Sequence, residues 1–240
     1  MMTGLLAIPM LGLVILIHEL GHAAGAVSCN MRVDELIIGF GPKIGQWTFR
    51  DLLVTLRVIP VGGALSIDDG EYERASVARK RICLLAGPAT SMLGGWMLCV
   101  AGKFAATVGK GSLCSRVTDS VAYATRLTGL LVPGTAEALI GAATGTPAEF
   151  VGPLGLAGWM NSLDVVSLPV WLVLAGIISV GAGLFNLLPL PPLDGGRALV
   201  ARVEERLGVC RLELLERMGI VLVAALGIVV AIGDLFEIVF

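Results

Sequence analysis

The chain has 240 residues, of which 56% are hydrophobic and 15% are charged, and its mean hydropathy is +0.88. A soluble domain carries about 25% charged residues, so this composition excludes an ordinary soluble protein and predicts an integral membrane protein in a lipid bilayer. The net charge of −2 gives no basis for binding nucleic acid. The five cysteines have no C-x-x-C spacing, so they indicate neither a disulfide framework nor a zinc cluster.

The first predicted element is an apolar span over about residues 2–27. At 1.5 Å per residue it is long enough to cross a hydrocarbon core of ~30 Å. Its start lacks the positive charge of a secretory leader, so we interpret it as a retained span rather than a cleaved signal peptide.

Both histidines of the chain lie near the end of this span, in His18-Glu19-Leu20-Gly21-His22. On a helix, His18 and His22 project from one face, where two imidazoles can bind one Zn²⁺ and Glu19 can act as a general base on water. The alternative is structural, with satisfied core histidines and a Glu19 that caps a helix end or reaches the interface. An ionisable group at membrane depth costs roughly 2.5–3.5 kcal/mol, which favours the functional interpretation.

A different pattern follows over about residues 34–67, where glycine, proline and β-branched residues recur at strand spacing. We predict two to four short strands that pack against the membrane face, with a solvated loop as the alternative. An edge strand in this β-region could accept an extended peptide by β-addition. The candidate substrate-binding residues here are Ile59, Pro60, Val61, Gly62 and Gly63.

The second span is predicted over about residues 82–101 and contains Ala86-Gly87-Pro88, small residues that allow close helix packing. A short polar connection follows. Two amphipathic helices are then predicted within about residues 117–143, separated by Pro133-Gly134 and too polar to cross the membrane.

The third span is predicted over about residues 168–188, and three prolines within residues 189–192 prevent a regular helix from continuing. Irregular backbone at membrane depth is tolerated only inside protein or beside a watery cavity. A charged connector over residues 197–217 then leads to a fourth span over about residues 218–240. The whole chain, residues 1–240, is therefore predicted to form one polytopic, mainly α-helical membrane domain.

The basic residues predict the orientation of these spans. The connections after the first and third spans hold 13 of the 17 lysines and arginines, and the connection after the second span holds four. The positive-inside rule places the two larger sets in the cytoplasm and the N-terminus outside. His18, His22 and Asp194 are then all at cytoplasm-facing ends of spans.

Catalytic zinc usually takes three protein ligands, and the chain has no third histidine. Asp194, which precedes Gly195 and Gly196 at the same membrane level, is the best candidate for the third ligand. The alternative for Asp194 is a turn residue in a Leu-Asp-Gly loop. Asn186 is predicted either to bind the substrate backbone or the developing oxyanion, or to hydrogen-bond between helices.

These motifs resemble those of the site-2 protease family of intramembrane zinc metalloproteases. The segment from His18 to His22 matches the first motif of that family, and Asn186 through Gly195 matches its second, N-x-x-P-x-P-x-L-D-G, at every fixed position. The resemblance covers nearly the whole chain. It departs at Ser91, where many members have Asn, and in a connection after the second span too short for the PDZ domain that many bacterial members carry there.

The resemblance implies a zinc endopeptidase with one Zn²⁺ per chain, held by His18, His22 and Asp194, and with Glu19 as the catalytic acid and base. It implies a single-pass transmembrane protein as substrate and a site towards the cytoplasm, in a prokaryotic plasma (inner) membrane. Two alternatives are a catalytically silent adaptor or chaperone that binds transmembrane segments, and a metal transporter. The intact Glu19 disfavours the adaptor, and the clustering of polar groups at one level disfavours the transporter.

Overall fold

A computed structural model describes residues 4–49, 52–144, 160, 167–207, 217–221, 223–225 and 227–228. A 3₁₀ turn at Gly4–Leu6 precedes the first long helix. The helices and strands with described bounds are α1 (Ala7–Ser28), β1 (Val33–Phe49), β2 (Leu52–Ile67), α2 (Asp69–Arg74), α3 (Val77–Ala106), α4 (Leu113–Thr144), α5 (Leu168–Asn186) and α6 (Asp194–Leu207).

Three of these helices, α1, α3 and α5, are long and apolar enough to cross a membrane. The expectation of an integral membrane protein built from apolar helices is therefore confirmed. Residues 217–221, 223–225 and 227–228 are helical, but the rest of the predicted fourth span lies outside the described residues. The fourth span thus stays a prediction.

Helix α3 packs closely against both of the other apolar helices because glycines replace larger side chains at the contacts. A Cβ on Gly21 of α1 would lie 2.6 Å from the Ala86 carbonyl oxygen of α3. On the other side of α3, a Cβ on Gly95 would lie 2.6 Å from the Gly176 carbonyl oxygen of α5. Small residues let helix backbones approach closely in membranes, where lipid gives no hydrophobic drive for helices to associate.

The β-region forms a small sheet from two long, bent strands. Residues 35–38 of β1 register with residues 63–66 of β2 and also with residues 53–56, while residues 43–49 of β1 register with residues 52–57. The bends fall at glycines in the left-handed region, with φ of 87° at Gly39 and 78° at Gly62, a conformation open to glycine at little cost. The predicted β-region is confirmed as a small sheet, but its strands are long and bent rather than short. We call residues 63–67 the cleft strand.

The cleft strand connects directly to α2, a short helix that the sequence analysis did not predict. The Asp68 side chain accepts a hydrogen bond from the Glu71 backbone N–H at 2.9 Å and so caps this helix. Helix α2 holds Asp69 and Tyr72 beside the cleft strand, so it contributes to the rim of the same concave surface.

The prediction of two amphipathic helices within residues 117–143 is wrong. One helix, α4, runs from Leu113 to Thr144 with Pro133 inside it. Proline removes one N–H donor, to the Gly129 carbonyl, and the remaining backbone bonds keep the helix continuous. Thr135, just after Pro133-Gly134, lies within this helix and donates its hydroxyl to the Leu131 carbonyl at 2.7 Å.

Helix α5 begins with Pro169 in its first turn, where a proline N–H would have no helical partner. It ends at Asn186, as the prolines predict. The chain turns through a cis Pro191–Pro192 bond and starts α6 at Asp194. A Cβ on Gly195 or Gly196 would collide with the backbone of residues 187–191, so the two glycines allow α6 to begin directly against the end of α5.

Two glycines of α5 provide a matched test of the α3–α5 contact. A Cβ on Gly176 would lie 2.5 Å from both the Cys99 sulfur and the Gly95 carbonyl oxygen, whereas a Cβ on Gly181 would have no neighbour within 4 Å. Gly176→Ala should destabilise the protein by about 1–3 kcal/mol through overpacking. Gly181→Ala should be neutral or stabilising by up to about 1 kcal/mol because alanine favours the helix. Thermal unfolding in detergent measures both, and equal melting temperatures would contradict the close approach.

Candidate metal centre

The polar residues of the first apolar helix meet the start of α6 at one point. His18, Glu19 and His22 lie within one turn of α1, and Asp194 is the first residue of α6. Glu19, His22 and Asp194 are each less than a tenth exposed. Residues that are 172 or more positions apart in sequence are therefore brought together in the interior of the helix assembly.

Three side-chain atoms form a nearly equilateral triangle. The Nε2 atoms of His18 and His22 are 3.1 Å apart, and each lies 3.2 Å from Asp194 Oδ2. Zinc–nitrogen bonds of ~2.0–2.1 Å in a tetrahedral site place ligand atoms roughly 3.3–3.4 Å apart. The triangle therefore has the size of one face of a tetrahedral zinc site.

The tautomer of His22 is fixed by a backbone group. Its Nδ1 lies 2.9 Å from the Cys83 carbonyl oxygen, which can only accept a hydrogen bond, so Nδ1 carries the proton and donates. In the neutral imidazole, Nε2 then presents a lone pair towards Asp194. This is the form in which histidine binds a metal.

His18 is held by a side chain instead. Its Nδ1 lies 2.9 Å from the Ser91 hydroxyl of α3, and Ser91 is fully buried. Serine can either donate or accept, so this contact allows the same tautomer as in His22. With both protons at Nδ1, the two Nε2 lone pairs face each other and the carboxylate.

Asp194 supplies the negative charge of the cluster. Its Oδ2 is buried and has no hydrogen-bond partner, although two imidazole nitrogens lie 3.2 Å away. The two short N···O distances and the absence of a hydrogen bond to Oδ2 are both explained if neither Nε2 carries a proton. Burial alone would raise the pKa of Asp194, but positive charge on His18 and His22 outweighs burial and lowers it to about 2. A metal cation in place of the two imidazole protons acts in the same direction, so the carboxyl group is ionised in either case.

Three converging lone-pair atoms repel one another unless a cation lies between them. Among the described residues, three potential metal ligands have ligand atoms within 4.8 Å of one another: His18, His22 and Asp194. Two imidazoles and one carboxylate form a donor set that zinc uses in catalytic sites. These residues therefore fit a zinc ion.

Gly87 makes room for His22 on α3. A Cβ at position 87 would collide with the His22 ring, so any larger residue would displace the imidazole. Pro88 follows within the same helix. The Ala86-Gly87-Pro88 segment, whose small residues predict close helix packing, thus also shapes the candidate metal centre.

Glu19 lies beside the metal centre and against the β-region. A Cβ on Gly63, the first residue of the cleft strand, would be 2.9 Å from both Cγ and Oε1 of Glu19. Glu19 therefore lies in a narrow space between α1 and the cleft strand. It faces the same cleft as His18 and Asp194.

This cleft has a volume of about 550 Å³ and is lined by α1, the cleft strand, α2, α3, α5 and α6. Asn186 lines it, and its side-chain amide donates to the Ala182 carbonyl of its own helix at 3.0 Å. Gly62 and Gly63 also line it, but Ile59 is half exposed and is not among its lining residues. The side chains of Pro60 and Val61 lie outside what the structure describes.

Several residues of the site were not singled out as functional from the sequence. Cys83 and Ser91 hold the two imidazoles, and Arg197 lines the cleft one turn after Asp194. Cys83 acts through a backbone carbonyl, which carries no sequence signal. Ser91 is marked only by its place three residues after Pro88, and Arg197 only by its spacing from Asp194 on a helix.

Over part of its length the chain is similar to known zinc metalloproteases. Over 67 residues the chain is 43% identical to zinc metalloprotease RasP of Oceanobacillus iheyensis, covering 28% of this chain and 16% of the relative. Over 66 residues it is 38% identical to regulator of sigma-W protease RasP of Bacillus subtilis, covering 28% and 16%. Over 65 residues it is 33% identical to chloroplastic membrane metalloprotease ARASP of Arabidopsis thaliana, covering 27% and 14%.

These matches span about a sixth of the length of the relatives, so they relate one segment of each protein. The family model of peptidase family M50 matches far more of the chain, residues 6–230. That range includes the three apolar helices described above, the sheet and the candidate metal centre. The chain belongs to peptidase family M50.

Proposed function

We propose that this protein is a zinc-dependent intramembrane endopeptidase that hydrolyses a peptide bond in or near the membrane segment of a single-pass transmembrane protein. The observation that carries this proposal is the convergence of His18, His22 and Asp194 beside Glu19, in a cleft among apolar helices. One Zn²⁺ per chain is held by the two imidazoles and the carboxylate. Bound there, zinc supplies Lewis acidity and lowers the pKa of a water to near ~7.

Glu19 is the acid and base of the proposed reaction. Its carboxylate takes a proton from the attacking water as the water oxygen adds to the substrate carbonyl carbon. The C–N bond then breaks, and Glu19 returns the proton to the departing amine nitrogen. Burial between α1 and the cleft strand keeps bulk water away from this carboxylate, so its proton is transferred within the site.

The substrate must lose helical structure before it can react, because the amides of a transmembrane helix are already bonded and shielded. The cleft strand offers replacement partners for an extended substrate. It registers with β1 on one side only, among the described residues, and it lines the cleft beside Glu19. Pairing there by β-addition would hold an unwound segment against the metal centre.

Asn186 stays a candidate for contact with the substrate. Its side-chain oxygen and second amide hydrogen remain available while one amide hydrogen bonds to Ala182. For the neighbouring loop, residues 59–63, the proposal concerns the backbone that leads into the cleft strand. The proposed location is a prokaryotic plasma membrane, with the site towards the cytoplasm as the basic residues predict.

Glu19→Gln tests the chemistry apart from metal binding. The amide keeps the shape of the side chain but cannot accept and return a proton, so cleavage of a model membrane substrate should fall by about 10²–10⁴-fold. Zinc content, measured by elemental analysis of the purified protein, should stay at the wild-type value. Continued cleavage by this variant would refute the proposed mechanism. If even the wild-type protein binds the substrate but does not cleave it, the adaptor is favoured instead.

Asp194→Ala tests the ligand set. Removing the carboxylate leaves two ligands and no compensating negative charge, so both zinc content and cleavage should be lost. The Asp119→Ala substitution, on α4 and outside the cleft, is the control and should retain both. Elemental analysis and the cleavage assay are run on the same preparations. Full zinc content in the Asp194 variant would exclude the carboxylate as a ligand.

Site-specific photocrosslinking tests where the substrate lies. A photoreactive residue at Leu65, in the cleft strand, should crosslink to the membrane segment of a bound substrate in the Glu19→Gln background. The same residue at Thr48, in the part of β1 that registers with residues 52–57 and lies outside the cleft lining, should not. Equal crosslinking from both positions, or crosslinking from Thr48 alone, would contradict binding along the cleft strand.

A further inference from the structure

We infer that Ser91 is the positioning residue for His18, and that it links all three apolar helices at the level of the metal centre. The inference rests on the proposed zinc site. It concerns a residue that touches neither the metal nor the substrate and acts through the imidazole.

The contact between Ser91 and His18 is short, and Ser91 is fully buried. Ser91 Oγ lies 2.9 Å from His18 Nδ1 across the α1–α3 interface, and Ser91 is completely inaccessible to solvent. Without this hydroxyl, the described residues would leave the His18 ring N–H without a hydrogen-bond partner in a mostly buried position, which is unfavourable.

The two imidazoles are held in different ways. His22 donates to a carbonyl of the α3 backbone, which no substitution of Cys83 removes. His18 depends on a hydroxyl that a single substitution can remove. If the hydroxyl accepts from Nδ1, then Nε2 is left free to face Asp194 and His22, as a zinc ligand requires.

Ser91 is itself tied to the third apolar helix. The Ser179 hydroxyl of α5 donates to the Ser91 backbone carbonyl at 2.9 Å, and Ser179 is also fully buried. A continuous path of hydrogen bonds thus runs from His18 on α1 through Ser91 on α3 to Ser179 on α5. Helix α5 leads into the turn before Asp194, so the path connects the helix that carries both histidines with the helix that precedes the third candidate ligand.

The size of Ser91 fits its neighbours. A Cβ on Gly183 of α5 would lie 3.2 Å from the Ser91 Cβ, so the two helices are close at this level. Serine supplies a hydroxyl within that narrow space. A hydroxyl at position 91 therefore serves packing and hydrogen bonding together, and the two roles need separate readouts.

The first test is zinc affinity, measured by competition with a chelator. Ser91→Ala should raise the zinc Kd by about 10–100-fold, the usual effect of losing a hydrogen bond to a metal-binding histidine. Ser91→Thr, which keeps a hydroxyl, should restore most of the affinity. Ser120→Ala is the matched control, because Ser120 is equally buried but donates to the Arg116 carbonyl of its own helix at 2.7 Å. Its Kd should equal that of wild type.

The second test uses the fact that the chain contains only two histidines. In zinc-loaded protein labelled with ¹⁵N-histidine, wild type should give two Nδ1–H resonances that exchange slowly with solvent. Ser91→Ala should lose or shift the resonance of His18 and keep that of His22. A merely structural role would change the melting temperature but would leave both resonances in place.

The outcomes separate this inference from the proposed function. Wild type that binds zinc and cleaves, together with a Ser91→Ala variant whose zinc Kd and two resonances are unchanged, overturns the inference alone. Wild type that binds no zinc overturns the proposed function and the inference with it. If Ser91→Ala does not fold, slow exchange of the His18 Nδ1–H in zinc-loaded wild type supports the inference, and fast exchange overturns it.

Discussion

The convergence of three lone-pair atoms in an apolar interior is the constraint on which the rest of the structure depends. His18 Nε2, His22 Nε2 and Asp194 Oδ2 lie 3.1–3.2 Å apart, and such an arrangement is unfavourable without a cation or a proton between the atoms. Each imidazole has its second nitrogen bonded to α3, so the rings cannot turn away. The fold therefore holds these three candidate ligands in a geometry that favours metal binding.

Close helix packing makes this geometry possible. The His22 ring occupies space that any side chain at Gly87 would fill, and Gly21 and Gly95 bring α3 against α1 and α5. In lipid these contacts gain from packing rather than from hydrophobic burial. Small residues on both sides of each interface with α3 thus bring the helices together, and Gly87 leaves room for the candidate metal centre.

The sequence predicted what depends on local pattern. The apolar spans, the β-region and the helix break before Asp194 all follow from hydropathy, strand spacing and proline. Pro133 misled the prediction for α4, because a proline costs one hydrogen bond and the local pattern does not reveal whether the remaining bonds continue the helix. The local pattern also could not predict that residues 35–38 pair with two separate parts of β2, because pairing between distant residues is set by tertiary structure.

In the candidate site, too, local pattern predicted some features, and others depend on tertiary structure. Spacing on a helix predicted that His18 and His22 share a face, and membrane level predicted that Asp194 joins them. The partners that orient the imidazoles could not be read in this way, because Cys83 acts through its carbonyl and Ser91 is one of many serines. Ser91 becomes distinctive only when burial, a 2.9 Å contact to His18 and the bond from Ser179 are known together. A candidate metal ligand can be recognised from its residue type and spacing in the sequence. A residue that positions a ligand can be recognised only once the structure shows which ligand it contacts.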